Sequence, residues 1–200
     1  MDAAAWDERY DRTELIWTAE PNRFLVAEVG ELRPGRALDV ACGEGRNAVW
    51  LATLGWTVTG VDFSNVGLDK ARALAHAKGV DVAFECADVV TYEPEPQYDL
   101  VVVMYLQLPE PERSRAFANA ARGLAPGGTL LVVGHDITNL ADGVGGPQDA
   151  SVLYGPDDVV TAIRGADDLE TVRAERVLRP VTKDGVERNA IDVLVRARRS

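Results

Sequence analysis

Between residues 36 and 133 the chain alternates short apolar runs with segments that carry helix start and stop signals, and few folds accommodate that alternation. The runs are 37–41 (ALDVA), 57–61 (TVTGV), 82–86, 100–104 (LVVVM) and 129–133 (TLLVV). Residues 100–104 are apolar at every position, as a parallel strand buried on both faces must be. Between the runs, a helix over 47–54 closes at Gly55. Ser64 caps a helix that continues through Lys78 to Gly79, and a third helix spans 111–124 with Phe117, Ala120 and Leu124 on one side. A short helix is expected at 156–165. Two extended segments follow, 169–178 and 190–197, joined through Lys183-Asp184-Gly185, where Asp-Gly is a hairpin signal. Ahead of this core, residues 2–20 read as helix or helix plus turn, with Trp6 and Tyr10 on one face. A second helix starts at Pro21, carries Phe24, Leu25, Val29 and Leu32 as its apolar stripe, and ends at Pro34-Gly35. The expectation is an α/β fold: a doubly wound seven-stranded sheet, mostly parallel, with one antiparallel strand from the C-terminal hairpin. Residues 1–200 form one domain, with 1–33 a helical cap and 34–200 the core.

Composition narrows the function. A net charge of −11 disfavours nucleic acid, whose phosphates require clustered cations. The one dense basic group, Arg196, Arg198 and Arg199, reads as a solvated tail. No stretch approaches the roughly 18 apolar residues of a membrane span, and the N-terminal residues lack an apolar leader. Two cysteines, Cys42 and Cys86, both in apolar strand contexts, fit a reducing compartment. A cytoplasmic protein, monomeric or homodimeric, acting on a small molecule without nucleic acid, membrane or metal, is the expectation.

The first strand ends in Asp39-Val40-Ala41-Cys42-Gly43-Glu44-Gly45-Arg46. Glycines at a strand-to-helix turn permit positive φ and close approach of a ligand to backbone. In a doubly wound sheet this turn lies at the ligand-binding edge. Gly43-x-Gly45-x-x-Ala48 formally matches a dinucleotide fingerprint, with Asp62 about 20 residues on. Asp39 argues otherwise. A carboxylate at this turn repels a pyrophosphate but welcomes a ligand carrying ammonium and sulfonium groups.

The string ALDVACGEGRNAVWLATLGWTVTGVDFS, with CADV and LAPGGTLLVV after it, resembles the class I, seven-stranded, Rossmann-like S-adenosylmethionine-dependent methyltransferases, most of all the tellurite-resistance and thiopurine group acting on small molecules. Ala41 stands where the family has its first glycine, so Gly43 and Gly45 carry the turn. The resemblance implies S-adenosyl-L-methionine as cofactor. It implies that Asp39, Ala41, Cys42, Gly43 and Gly45 hold the methionine end and that Asp62 takes the ribose diol. It further implies that Phe63 packs on the adenine, that Ala87, Asp88 and Val89 meet the adenine amino group, and that Met104 and Tyr105 line the methyl channel.

Methyl transfer is an in-line displacement in which the protein orients the reactants and excludes water. His135, directly after the fifth strand, is the candidate base, since imidazole titrates close to neutrality. Cys42 reads as a small packing residue and His76 as surface. The acceptor side is expected to be built from Tyr10, Trp17, Arg46, Tyr105 and His135. Trp6 and Trp50 stand near the mouth, and the Gly-rich loop 136–155 acts as a lid. Residues 103–109 lack the N/D-P-P-Y pattern of enzymes that methylate planar amino groups, which favours a thiol or other chalcogen, hydroxyl or ring-nitrogen acceptor. Two alternatives stand beside this reading: an NAD(P)-dependent oxidoreductase using the glycine turn, and a non-catalytic S-adenosylmethionine-binding protein.

Overall fold

A computed structural model describes residues 3–11, 15, 18–165, 168–183 and 185–200. Trp17 and Asp184, both singled out above, lie outside the described residues. Helices α1 (Ala3–Tyr10) and α2 (Arg23–Val29) precede an alternating core. It comprises β1 (Arg36–Val40), α3 (Arg46–Thr53), β2 (Thr57–Asp62), α4 (Asn65–Lys78), β3 (Ala83–Cys86), β4 (Tyr98–Met104), α5 (Glu112–Arg122) and β5 (Leu124–His135). After it come α6 (Asn139–Asp142), α7 (Pro156–Ile163), β6 (Leu169–Lys183) and β7 (Val186–Arg199).

The strands form one seven-stranded sheet in the order β3-β2-β1-β4-β5-β7-β6. Strands β1 to β5 pair in parallel, while β7 runs antiparallel to both β5 and β6, so it alone is reversed. The expected fold class is therefore the one observed. Alternation along each strand builds two apolar layers. Leu38, Val40, Val101, Val103, Leu130 and Val132 face Phe117, Ala120, Val159 and Ile163 of α5 and α7. Ala37, Leu100, Val102, Leu131 and Val133 face Leu25, Val29, Ala48 and Leu51 of α2 and α3.

Helix ends follow their local chemistry. Ser64 accepts a hydrogen bond from the Gly67 amide at 3.0 Å, and Gly79 closes the same helix at φ 66°. Helix α2 begins at Arg23 rather than Pro21 and ends at Val29, short of Pro34-Gly35; Asn22 caps it, its side chain accepting from the Phe24 amide at 2.8 Å. Three expectations need correction. Cys86 is exposed, because β3 is the outermost strand on its side of the sheet. Trp50 packs against the α2–α3 layer instead of standing at a ligand mouth. The terminal strands are longer than their apolar cores: β6 and β7 pair from Leu169↔Arg199 to Lys183↔Val186, with one register shift between Thr171 and Arg173, because hairpin pairing carries polar residues beyond the buried part of the sheet.

Candidate active site

Strand order reverses between β1 and β4, and a cavity of about 370 Å3 opens at their carboxyl ends. Its walls come from Trp6 and Tyr10 of α1, the turn Ala41–Gly43 with Arg46 and Asn47, Asp62 and Phe63 after β2, Met104 to Leu108 after β4, His135 of β5, and Arg179 and Pro180 of β6.

The glycine turn owes its shape to left-handed backbone. Gly43 has φ 53° and Gly45 φ 77°, and Ala41 adopts φ 59° despite its Cβ. A Cβ on Gly43 would stand 2.7 Å from the Tyr10 hydroxyl, and one on Gly45 would stand 2.6 Å from the Ala71 Cβ. The turn is thus pressed between α1 and α4, and its amides are held internally, Cys42 donating to the Val61 carbonyl, Gly43 to Asp62 and Gly45 to the Cys42 carbonyl. Tyr10 is buried and stacks on Trp6 with ring centroids 5.4 Å apart, as their spacing of four implied. The Ser64 hydroxyl donates to Asp7, tying α1 to the head of α4. Asn47 accepts from the Asn22 amide at 2.9 Å, which pins the segment entering α2 along the cavity rim.

Asp62 lines the cavity floor and Asp39 lies beneath it. Asp62 is 4% exposed, and its two oxygens accept from the Gly43 amide at 2.8 Å and the Ser64 amide at 2.9 Å. Burial raises its pKa, and the Ser64, Gly43 and Phe63 amides oppose that rise. Each oxygen keeps a lone pair for a further donor. Asp39 does not line the cavity but sits two residues before the turn, on the α3 face of β1 with Ala37. It is 1% exposed, and neither oxygen has a hydrogen-bond partner among the described residues. Burial pushes its carboxyl up to about 7, with the Ala48 amide and Arg46 pulling down and Asp62 pushing up. A buried carboxylate in that position is costly until a cation or strong donor meets it.

The opposite wall is basic and aromatic. His135 Nδ1 lies 3.3 Å from Asp192 Oδ1, bent away from ideal hydrogen-bond alignment. Asp192 is fully buried and accepts from the Tyr105 hydroxyl at 2.8 Å and from Arg179 Nε at 2.6 Å. Burial would raise its pKa, but His135, Arg179 and Tyr105 together outweigh that and hold it below the ordinary value. The His135 ring rests on Tyr105 at a centroid distance of 4.6 Å. Tyr105 itself sits at φ 57°, a left-handed position that turns its side chain back over the sheet edge. Burial, reinforced by Asp192, keeps its phenol protonated.

Most expected site residues therefore share one cavity: Tyr10, Ala41, Cys42, Gly43, Arg46, Asp62, Phe63, Met104, Tyr105 and His135 line it. Gly45 shapes the turn from behind. The cavity does not extend to Ala87, Asp88 or Val89. Asp88 is exposed, with its side chain accepting from the Val90 amide at 2.9 Å, and Val89 is buried in the layer under α5. Among the described residues, loop 136–155 approaches the site where Gly146 lies against the His135 ring. It is anchored elsewhere, by Asp136 to Arg176 and by Arg113 to the carbonyls of Ser151 and Leu153. Sequence reasoning missed Arg179, Pro180 and Asp192. The hairpin signal was visible, but not the register that sets Asp192 directly across from His135.

A buried unpartnered acid below a glycine turn, a second acid with lone pairs to spare and an apolar-aromatic wall define a site for a small cationic nucleotide-like ligand on a doubly wound sheet. They do not suit a pyrophosphate. Comparisons agree with this class. A methyltransferase-domain family matches residues 37–128. The chain is 30% identical over 186 residues to a 27-O-demethylrifamycin SV methyltransferase of Amycolatopsis mediterranei, covering 90% of this chain and 67% of that one. It is 34% identical over 137 residues to a ubiquinone biosynthesis O-methyltransferase of Alkalilimnicola ehrlichii, covering 66% of this chain and 56% of that one, so it spans little more than half of this second relative. The crystal structure of the N-methyltransferase NodS from Bradyrhizobium japonicum with S-adenosyl-L-homocysteine superposes with a TM-score of 0.73 at 18% identity, over 98% of this chain and 97% of that one. The chain belongs to the class I S-adenosylmethionine-dependent methyltransferases. Its cofactor is S-adenosyl-L-methionine, and the oxidoreductase and non-catalytic alternatives fall away. Among the described residues, no helix is long and apolar enough to cross a membrane.

Proposed function

We propose that this chain methylates a hydroxyl oxygen of a small-molecule acceptor, with His135 as general base. The observation that carries this reading is the pairing of His135 with the buried carboxylate of Asp192 in the cavity wall. A hydroxyl is a poor nucleophile until its proton leaves, whereas a thiol or amine needs less help. A charged Asp192 beside Nδ1 favours the tautomer with its proton on Nδ1 and leaves Nε2 as acceptor. The names of the two relatives, both O-methyltransferases, support the same reading.

Bound at the site, S-adenosylmethionine supplies a methyl group already activated by its sulfonium. The chain's part is to hold and shield. Asp39 would balance the positive methionine end, with the Cys42 and Gly43 backbone beneath it. Asp62 would accept from the ribose hydroxyls, Phe63 would cover the adenine, and Asp88 would stand at the open adenine edge. Met104 and Tyr105 narrow the space toward His135, and Trp6 and Tyr10 exclude water. Holding two reactants in line is worth up to about 7–11 kcal/mol of barrier.

The test is a panel of phenolic, thiol and ring-nitrogen acceptors with the wild-type protein and His135→Gln. The expected result is methylation of phenols, with kcat lowered about 10²–10⁴-fold in the variant and affinity for S-adenosylhomocysteine unchanged. Preferred turnover of thiols, indifferent to His135, would remove the hydroxyl assignment.

A further inference from the structure

Charge is distributed unevenly along the cavity. Its cofactor floor carries Asp62, with Asp39 beneath, and Glu44, which is paired with Lys70, while Arg23, Arg46 and Arg179 also line it. In a chain with net charge −11, three arginines around one small cavity run against the composition. Arg179 is built in by register. Asp192 pairs with Val177 across β6–β7, so Arg179, two residues on, points to the same face and meets Asp192 diagonally. Asp192 takes the Nε–Nη2 edge of the fork, accepting from Nε at 2.6 Å on Oδ2 and from Nη2 at 3.5 Å on Oδ1. The guanidinium lies 5.7 Å from the centre of the Tyr105 ring, and its side chain keeps 25% exposure on the cavity wall. Arg46 enters the cavity from the glycine turn; burial weakens its hold on a proton, Tyr105 and Asp39 oppose that, and the Arg179 charge adds to it. Two guanidinium groups that repel each other across an enclosed space become favourable together when an anion lies between them.

We propose that the acceptor is an organic monoanion, a hydroxyl-bearing carboxylate whose carboxylate is received by Arg179 and Arg46 while its hydroxyl faces His135. The proposal rests on the hydroxyl reading above. The planar fork of arginine matches a carboxylate. Asp192 already offsets part of the Arg179 charge, which suits a monoanion better than a phosphate dianion. Arg179 is then the residue that sets acceptor specificity, from a hairpin that contributes nothing to the cofactor floor.

The experiment separates binding from turnover. Calorimetry on the protein saturated with S-adenosylhomocysteine compares 3,4-dihydroxybenzoate with its neutral amide, 3,4-dihydroxybenzamide. The acid is expected to bind at least tenfold more tightly, with an advantage that shrinks in salt, disappears in Arg179→Gln and survives in part in Arg179→Lys. Equal binding of acid and amide, no binding of the acid, or a preference that persists in Arg179→Gln overturns the proposal. Methylation of both compounds is followed in parallel. Tight, Arg179-dependent binding of the acid without methylation supports the anion site and counts against the hydroxyl reading alone. Equal methylation and equal binding of the two compounds has the opposite meaning.

Discussion

Asp39 and Asp62 serve two opposed requirements, and their substitution separates them. The unfolded chain gives up the Asp39 proton near 3.8, the folded chain only near 7. Between those values the folded state holds the extra proton. The Asp39 contribution to stability is therefore complete below 3.8 and is lost as pH rises through 7. A cationic ligand prefers the ionised form, so affinity should rise with pH up to that point. Asp39→Asn should accordingly raise the melting temperature of the unliganded protein at pH 8 and weaken S-adenosylhomocysteine at least tenfold, about 1.4 kcal/mol. Thermal unfolding and calorimetry at pH 6 and pH 8 check both signs. Asp62→Ala should also weaken the ligand at least tenfold, about 1.4 kcal/mol. It should in addition cost about 1–3 kcal/mol of stability, because the Gly43 and Ser64 amides lose their acceptor. Denaturant titration without ligand isolates that second cost, which the sequence, seeing only a ribose carboxylate, did not foretell.

Elements meet at the site through their ends. Helix α4 begins at Ser64, whose hydroxyl both caps the Gly67 amide and holds Asp7 of α1. Ser64→Ala should lower stability by about 1 kcal/mol as an ordinary cap loss. It should also loosen α1, seen as faster amide exchange of residues 6–10 than in the rest of the cap. The boundaries of α4 were legible because Ser64 and Gly79 are strong local signals, and β4 was legible because a run of apolar residues has one meaning in a parallel sheet. Strand β5 was read short, since Leu124–Gly128 contains a proline and two glycines, yet it extends because Tyr98 pairs with Leu124 across an irregular register. Propensity at those residues is local; the neighbouring strand that overrides it is not.

At the scale of the whole molecule the cavity opens across the seam of the sheet, lined by α1, both halves of the strand order and the C-terminal hairpin. S-adenosylhomocysteine at 100 times its dissociation constant should add about 2.7 kcal/mol, a rise in melting temperature of about 5–10 °C for a chain of this size. NAD should give no shift, and a scanning fluorimetry series with both compounds reads the difference.

Composition, period and turn chemistry determined by themselves the α/β alternation, the single reversed strand and the acidic glycine turn, because each depends on residues close together in the chain. Tertiary structure alone decided that Asp192 and Arg179 stand beside His135, that Trp50 and Val89 turn into the packed layers, and that loop 136–155 stays largely outside the cavity. Those placements are set by the register of an antiparallel pair and by which face of the sheet each helix covers. A shift of one residue would send every side chain of the hairpin to the other face, and no local signal in the sequence distinguishes the two.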